Sequence, residues 1–158
     1  MKRTPLLLSI VSLFGILIAC KKGDSNPLST PSSSFTFSAN DSLLSFPVNL
    51  AYIQDVYNVH TTLISGQYKD TSSKKGSISF RLIGDTTGRY RGDSLLVTYT
   101  NATGNIYYNT SDSTNFVLVD KFEKKYNGAV SGSFYLKVFN SSGSIQFSQG
   151  SFTALYQD

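Results

Sequence analysis

The chain has 158 residues, enough for one domain, and its 40% hydrophobic and 13% aromatic content can build a core. Charged residues make up only 15% of the chain and form no long block, which argues against a nucleic-acid-binding surface, since that needs a basic stripe. Without Lys2 and Arg3, which fall in a predicted signal peptide, 12 basic residues remain beside 10 acidic ones, a net charge of +2. The abundance of Ser, Thr, Asn, Gly and Tyr is typical of strands and tight turns.

The N-terminus predicts export. Residues 1–19 combine a basic start with an apolar run at 6–18, a length typical of a removable signal peptide and too short to span a bilayer. The run ends in Leu17-Ile18-Ala19-Cys20, which resembles a bacterial lipobox. The resemblance implies cleavage between Ala19 and Cys20 and acylation of Cys20 with diacylglycerol and, on its amine, a further chain such as palmitate. The chain is therefore predicted to be a lipoprotein held at a membrane, because two or more acyl chains anchor firmly.

Residues 20–34 predict a flexible, lipid-anchored tether. Ser, Pro, Gly and Asn dominate this segment, which cannot bury enough apolar surface to order itself. By resemblance to known sorting rules, Lys21 in place of an Asp after the lipid-bearing residue favours the outer membrane, without indicating the periplasmic or surface leaflet. We expect protease to cut between Lys21 and Ser34. Cys20 is the only Cys, so the mature domain can form no disulfide.

Residues 35–158 predict a single all-β domain. Apolar residues recur at every second position, most clearly in Ser77–Ile83, and turn signals come at short intervals. Roughly eight to ten strands are expected, in an antiparallel β-sandwich or a barrel-like domain, with open and closed forms both possible. Two regions are less regular. Leu44, Phe46, Val48 and Leu50 predict one strand face, while Pro47 within this run argues for an edge strand or an irregular one. Residues 52–57 are ambiguous and also fit a single helical turn.

The last third of the domain predicts a hairpin. Strands Val130–Phe139 and Ser144–Tyr156 flank a loop at residues 140–143. A tight loop places Val138 opposite Ile145 and Leu136 opposite Phe147, with both pairs on the core face. Beyond Phe147 the alternation changes parity, so we expect a bulge near Gly150, where Gly would accept a positive φ.

The two strands of this hairpin also carry a resemblance. Ser131-Gly-Ser-Phe134 and Gln149-Gly-Ser-Phe152 form a paired Gly-Ser-Phe pattern. Together with the lipobox and the Cys-Lys-Lys-Gly-Asp start, they resemble the uncharacterised small β-domain lipoproteins of Bacteroidota. The resemblance implies a class and a location, and no chemistry.

The residue inventory predicts no enzyme, metal site or cofactor. His60 is the only His and has no Cys or carboxylate cluster beside it in the sequence, so we interpret it as an ordinary strand residue. Glu123 and Asp120 are three residues apart, which on a strand places them on opposite faces rather than in one acid–base pair. We interpret both as solvated charges at a strand end.

Two features could contribute to binding. The Arg91-Gly92-Asp93 tripeptide lies in a Gly-rich stretch and is interpreted as a plain turn rather than an integrin-type ligand. Tyr107 and Tyr108 could stack on sugar rings or on a partner surface, although Tyr is also a common strand residue and the chain lacks Trp.

Four short sequences resemble the O-glycosylation signal of Bacteroidota, in which Asp precedes a Ser or Thr. They predict possible glycans on Ser42, Thr86, Ser94 and Ser113. All four lie near expected strand ends or turns, where a modifying enzyme could reach them.

The sequence thus favours a lipid-anchored, non-enzymatic binding or structural module at the outer membrane. One alternative is a calycin-like barrel that carries an apolar ligand inside, and a second is a glycan-binding surface protein. The membrane, through Cys20, is the expected partner, together with an unidentified protein or glycan; nucleic acid is not expected, and the chain is predicted to be a monomer.

Overall fold

A computed structural model describes residues 32–56, 58–68 and 75–157 of the chain. This part contains eleven β-strands and one short 3-10 turn at Gly92–Ser94, so the predicted all-β class is confirmed and the strand count is slightly higher than expected. The strands are β1 (Ser34–Ala39), β2 (Ser42–Phe46), β3 (Val48–Val56), β4 (Val59–Gln67), β5 (Ser77–Ile83), β6 (Gly88–Tyr90), β7 (Leu95–Thr100), β8 (Ile106–Asn109), β9 (Phe116–Phe122), β10 (Ala129–Asn140) and β11 (Gly143–Tyr156).

Period-two alternation drives the strands to bury one face. In β5, Ile78, Phe80 and Leu82 are fully buried, while the residues between them point outward. The β5 bounds match the sequence prediction for Ser77–Ile83.

The strands close into a ring through the two longest of them, β10 and β11. Along one edge, β11 pairs with β1 as far as Thr153 and then, in parallel, with β3 at Leu155 and Tyr156. In the same manner, one edge of β10 pairs with β9 as far as Tyr135 and then with β8 at Phe139. Because β10 and β11 also pair with each other, the order β3–β4–β5–β7–β8–β10–β11 returns to its start.

The ring is flattened into two layers that we call the first wall and the second wall. The first wall has the strand order β2–β1–β11–β10–β9–β6, and the second wall has the order β3–β4–β5–β7–β8. The walls meet at two corners, where β11 passes to β3 and where β10 passes to β8.

Aromatic rings fill the space between the walls. Phe80 of the second wall packs against Phe134 of the first with 5.0 Å between ring centroids, and Tyr99 packs against Phe147 at 5.0 Å. Seven further rings and several aliphatic side chains join this core; they include Phe35, Phe37, Phe46, Phe152, Tyr107, Ile64, Leu136 and Val138. The space enclosed by the strands is therefore a packed core.

The C-terminal hairpin has the predicted register. Asn140 pairs with Gly143, Val138 with Ile145, and Leu136 with Phe147. The register shifts between Phe134 and Leu136, which is the expected bulge.

The reason given for the bulge is wrong. Gln149, not Gly150, takes the left-handed conformation, with φ of 53°. Gly150 is needed for space, since a Cβ there would lie 2.5 Å from the ring of Phe134.

Around Pro47 the prediction of one shared strand face is wrong, the expected irregularity is present, and the ambiguous stretch that follows is a strand. Pro47 divides the chain into β2 and β3, and beyond it Asn49 and Ala51 point inward while Leu50 is exposed, so residues 44–50 do not share one face. The stretch from Tyr52 to Val56 is part of β3 rather than a helical turn, because its pairing with β4 satisfies its backbone groups.

Candidate functional site

The predicted lipid site, Ala19 and Cys20, and the tether as far as residue 31 lie outside the described residues. Lipidation therefore stays a prediction. Within the described ranges, no helix is long and apolar enough to cross a bilayer.

His60 has a carboxylate partner that the sequence analysis did not foresee. Its Nδ1 lies 2.6 Å from Oδ1 of Asp55, because the two residues are paired across the β3–β4 hairpin. Both side chains are 66% exposed at the end of this hairpin, so water surrounds the pair. The geometry is that of an exposed imidazole–carboxylate contact at the end of a hairpin.

Glu123 ties the end of β9 to the start of β10. Its Oε2 accepts a hydrogen bond from the backbone N–H of Ala129 at 2.9 Å, and its Oε1 lies 3.0 Å from Nζ of Lys121. The hydrogen bond from the Ala129 N–H, and to a smaller extent the contact with Lys121, hold the pKa of Glu123 below its usual range.

Among the described residues, no three His, Cys, Asp or Glu side chains are grouped to hold a metal ion.

The Arg91-Gly92-Asp93 tripeptide lies at the 3-10 turn. The hydroxyl of Ser94 donates to the carbonyl of Arg91 at 2.7 Å and accepts from its N–H at 3.1 Å, which closes the turn. The tripeptide thus has a local structural role.

The four glycosylation candidates differ in accessibility. Ser42, Thr86 and Ser113 are exposed, and each lies in or beside a turn. The Ser94 hydroxyl is only partly exposed and is occupied by the turn just described.

The two neighbouring tyrosines have opposite environments. Tyr107 is buried, with its ring 6.0 Å from that of Tyr99, and therefore belongs to the core. Tyr108 is 51% exposed and lies directly opposite Phe139 of β10. Tyr108 is thus the member of the pair that can contact a ligand.

Tyr108 belongs to a row of aromatic and cationic side chains on the outer surface of β10 and its neighbours. Tyr135 lies opposite Phe116 of β9, and Lys137 stands between Tyr135 and Phe139 on the same face. We call this row the β10 strip; its members are Arg89, Tyr108, Phe116, Tyr135, Lys137 and Phe139.

Both cations of the β10 strip lie on aromatic rings. The guanidinium carbon of Arg89 is 4.2 Å from the ring centroid of Phe116, and Nζ of Lys137 is 5.3 Å from that of Phe139. Such contacts are worth about 0.5–1 kcal/mol at exposed sites. Within the part of the chain that is described, neither cation forms an ion pair.

The side chain of Asn115 supports the β10 strip from beneath. It is fully buried, its Oδ1 accepts a hydrogen bond from the Lys137 N–H at 2.6 Å, and its Nδ2 donates to the Thr110 carbonyl at 3.2 Å. Asn115 thereby fills the place on the β10 edge where β8 has ended and β9 has not begun. Sequence reasoning missed this residue, whose one signal is an Asn directly before a strand.

A groove of about 660 Å³ lies at one end of the ring. Phe46 and Tyr99 line the groove, and the aromatic rings of both pack on Phe37. The Phe37 ring lies between the groove and the rest of the core. Burial raises the pKa of Tyr99, with neighbouring Tyr107 and Tyr68 adding to the effect, so its phenol stays a hydrogen-bond donor at neutral pH. The remaining lining residues are Leu43, Leu44, Tyr68, Lys75 and Ala102.

Comparisons of the chain with protein-family models, with curated proteins and with solved structures found no match. The fold and the two surface features above therefore carry the functional argument alone.

Proposed function

We propose that this chain is a lipid-anchored outer-membrane lipoprotein that acts as a non-enzymatic binding module, with the β10 strip as its binding surface. The observation that carries the proposal is a contrast between inside and outside. The core is filled by packed rings, whereas four aromatic rings and two cations stand together on the outer surface. This contrast favours a surface-binding module over the barrel carrier.

The chemistry of the strip fits a sugar polymer that carries negative charge. Tyr108 and Tyr135, the exposed aromatic side chains of the strip, offer rigid apolar faces that suit the C–H faces of sugar rings. Arg89 and Lys137 add positive charge beside those faces and can bind carboxylate or sulfate groups. The strip covers five residues of β10, from Tyr135 to Phe139, and the distance between its ends is about 13 Å. That length would accommodate more than one sugar unit.

Titration of the mature protein with polygalacturonate, and with neutral dextran for comparison, tests this function. We expect binding to polygalacturonate, and a roughly tenfold higher Kd for Tyr135→Ala, equivalent to about 1.4 kcal/mol. The matched control is Tyr126→Ala, because Tyr126 is 68% exposed but lies in a loop outside the strip. Equal affinities of the two variants, or equal binding of both polymers, would contradict the proposal.

The lipid anchor has its own test. We expect Cys20→Ala to abolish incorporation of labelled palmitate and to release or mislocalise the protein. Undiminished labelling of this variant would contradict the lipoprotein assignment.

Glycosylation is tested by mass spectrometry of protein from the native host. We expect glycan on one or more of the predicted residues, with Ser42, Thr86 and Ser113 favoured over Ser94 because their side chains are exposed. Unmodified peptides at all four positions would contradict the prediction.

The groove supports a second candidate function, the binding of a small apolar molecule at the end of the ring. Its volume falls within the roughly 300–1,000 Å³ of ligand pockets, and its apolar walls carry two phenols and one ammonium group. Binding of an apolar fluorescent probe that is lost in Leu44→Glu and kept in Leu96→Glu would support this function. Unchanged probe binding in both variants would contradict it.

A further inference from the structure

The outer face of the second wall exposes an unusual share of the apolar surface. Of the ten large apolar side chains that the described residues expose, seven lie on this face. Alternation along each strand and the cross-strand register place them on one surface. They are Leu50, Tyr52, Val59, Ile83, Leu96, Ile106 and Tyr108.

One row of this face shows its composition. Tyr52, Leu63, Arg81 and Leu96 lie side by side across β3, β4, β5 and β7. Arg81 is the single charged residue that the described strands direct to this face, and the uncharged Ser65, Ser79 and Thr98 occupy the next row. Five strands about 4.8 Å apart make a surface roughly 20 Å wide, across which the exposed apolar side chains are distributed.

The chain enters the domain beside this face. The hydroxyl of Ser33 donates to the carbonyl of Pro47 at 3.3 Å, directly before β3 begins. Tyr52 lies four residues further along β3 than Val48, which is about 13 Å. Only eleven residues separate Cys20 from Ser32, the first described residue, so they can span at most about 43 Å.

We propose that the outer face of the second wall docks on the bilayer to which Cys20 is anchored, an inference that rests on the lipid anchor in the proposed function. Tethering keeps the face at a high effective concentration near the membrane, so a weak apolar contact suffices. Tyr52 is 40% exposed on this face at β3, and such an amphipathic ring favours the headgroup level of a bilayer. Arg81 in the centre complements lipid phosphates.

A second copy of the chain fits the same face less well. A two-fold contact centred on this surface would bring the two Arg81 guanidinium groups towards each other, and like charges in an interface are unfavourable. The bilayer instead offers anionic groups to Arg81 and apolar volume to its neighbours.

The test uses the lipidated mature protein, reconstituted into vesicles of phosphatidylethanolamine and phosphatidylglycerol. The sulfur of lipidated Cys20 is blocked, so Leu96→Cys or Ser151→Cys introduces the one reactive thiol for a polarity-sensitive dye. Leu96 is 47% exposed on the second wall, and Ser151 is exposed on the first, which makes the variants a matched pair. We expect the dye at position 96 to shift to shorter wavelength and to be quenched by spin-labelled lipids, and the dye at position 151 to remain in water.

Each other outcome contradicts a distinct claim. Protein that fails to float with vesicles contradicts the lipid anchor, and the docking with it. Protein that floats while the dye at position 96 stays in water contradicts the docking alone. If the dye at position 96 shifts in native outer membranes but not in lipid vesicles, a protein rather than the bilayer occupies this face. Equal shifts at both positions contradict the assignment of docking to the second wall.

Discussion

The first and second walls bury similar residues but expose different ones. Phe37 and Phe147 on one side and Phe80 and Tyr99 on the other meet in a single core. Apart from the β10 strip, however, the outer face of the first wall is rich in hydroxyl groups: Thr36 and Ser151 share a hydrogen bond at 2.9 Å, in a row that continues to Ser45 and Ser133. The outer face of the second wall instead mixes exposed apolar side chains with uncharged polar ones and a single charged residue, Arg81.

This contrast shows that packing of the core does not determine which side chains the outer face of each wall carries. Ser and Thr are compatible with the solvent-exposed face of the first wall, and the same residue types would be compatible with the outer face of the second wall. Exposed Leu and Ile contribute little to stability there, so their presence points to a contact with another surface. The following predictions test whether the two walls share one core and whether their outer faces are dispensable to it.

The largest expected effect is on the contact between the walls. Phe147 is fully buried and its ring lies 4.7 Å from that of Phe37 and 5.0 Å from that of Tyr99. Phe147→Ala should lower the free energy of unfolding by about 3–5 kcal/mol. Denaturant melts measure this loss, with Lys137→Ala as the control at about 1 kcal/mol or less, since it removes only the contact with the Phe139 ring. Similar small losses in both variants would mean that the core face is misassigned.

The next effect concerns space within the first wall. A methyl group at position 150 would lie 2.5 Å from the buried Phe134 ring, so Gly150→Ala should destabilise by about 1–3 kcal/mol through overpacking. Combining Gly150→Ala with Phe134→Leu should recover part of this loss, since the smaller side chain makes room for the methyl group. A neutral Gly150→Ala variant would show that the bulge has more freedom than the structure indicates.

An ion pair that joins the two walls should make stability depend on pH. Asp85 follows β5, and its Oδ2 lies 2.7 Å from Nζ of Lys124, which follows β9. The hydrogen bond from Lys124 lowers the pKa of Asp85. The stabilisation is therefore present above the unfolded pKa of about 3.9 and is lost as the pH falls through the lower folded pKa.

The pair is partly exposed, so Asp85→Asn should cost at most about 1 kcal/mol at pH 7, and its melting curve should converge with that of the wild type at low pH. Urea melts across this pH range measure the difference. A constant gap at all pH values would mean that the Asp85 side chain stabilises by shape rather than by charge.

The smallest effect is expected on the outer faces themselves. Leu96→Ser and Ser151→Leu should each change the free energy of unfolding by about 0.5 kcal/mol or less, because both side chains are exposed. Thermal melts of the two variants provide the measurement. A loss of several kcal/mol in Leu96→Ser would show that the apolar outer face is part of the folding core and would remove the reason to assign it a partner.

The sequence by itself determined the local features of this protein. Period two in residues 77–83 specifies a strand because one face must be buried, and the short loop at residues 140–143 specifies a hairpin because its register pairs Leu136 with Phe147. The expected lipid site at Cys20 depends only on a linear motif. These features rest on neighbours in the chain, so the sequence carries them directly.

Only the tertiary structure decided how distant strands share the edges of β10 and β11. Pro47 could mark an edge or an interruption, and the choice depended on β3 joining the end of β11 instead of continuing β2. The β10 strip arises in the same way, since Phe116, Tyr135 and Tyr108 are separated in sequence and meet because β8 and β9 dock in turn on one strand. The alternation of residues along a strand determines which side chains share a face, but only the pairing of strands distant in sequence determines which of these side chains become neighbours.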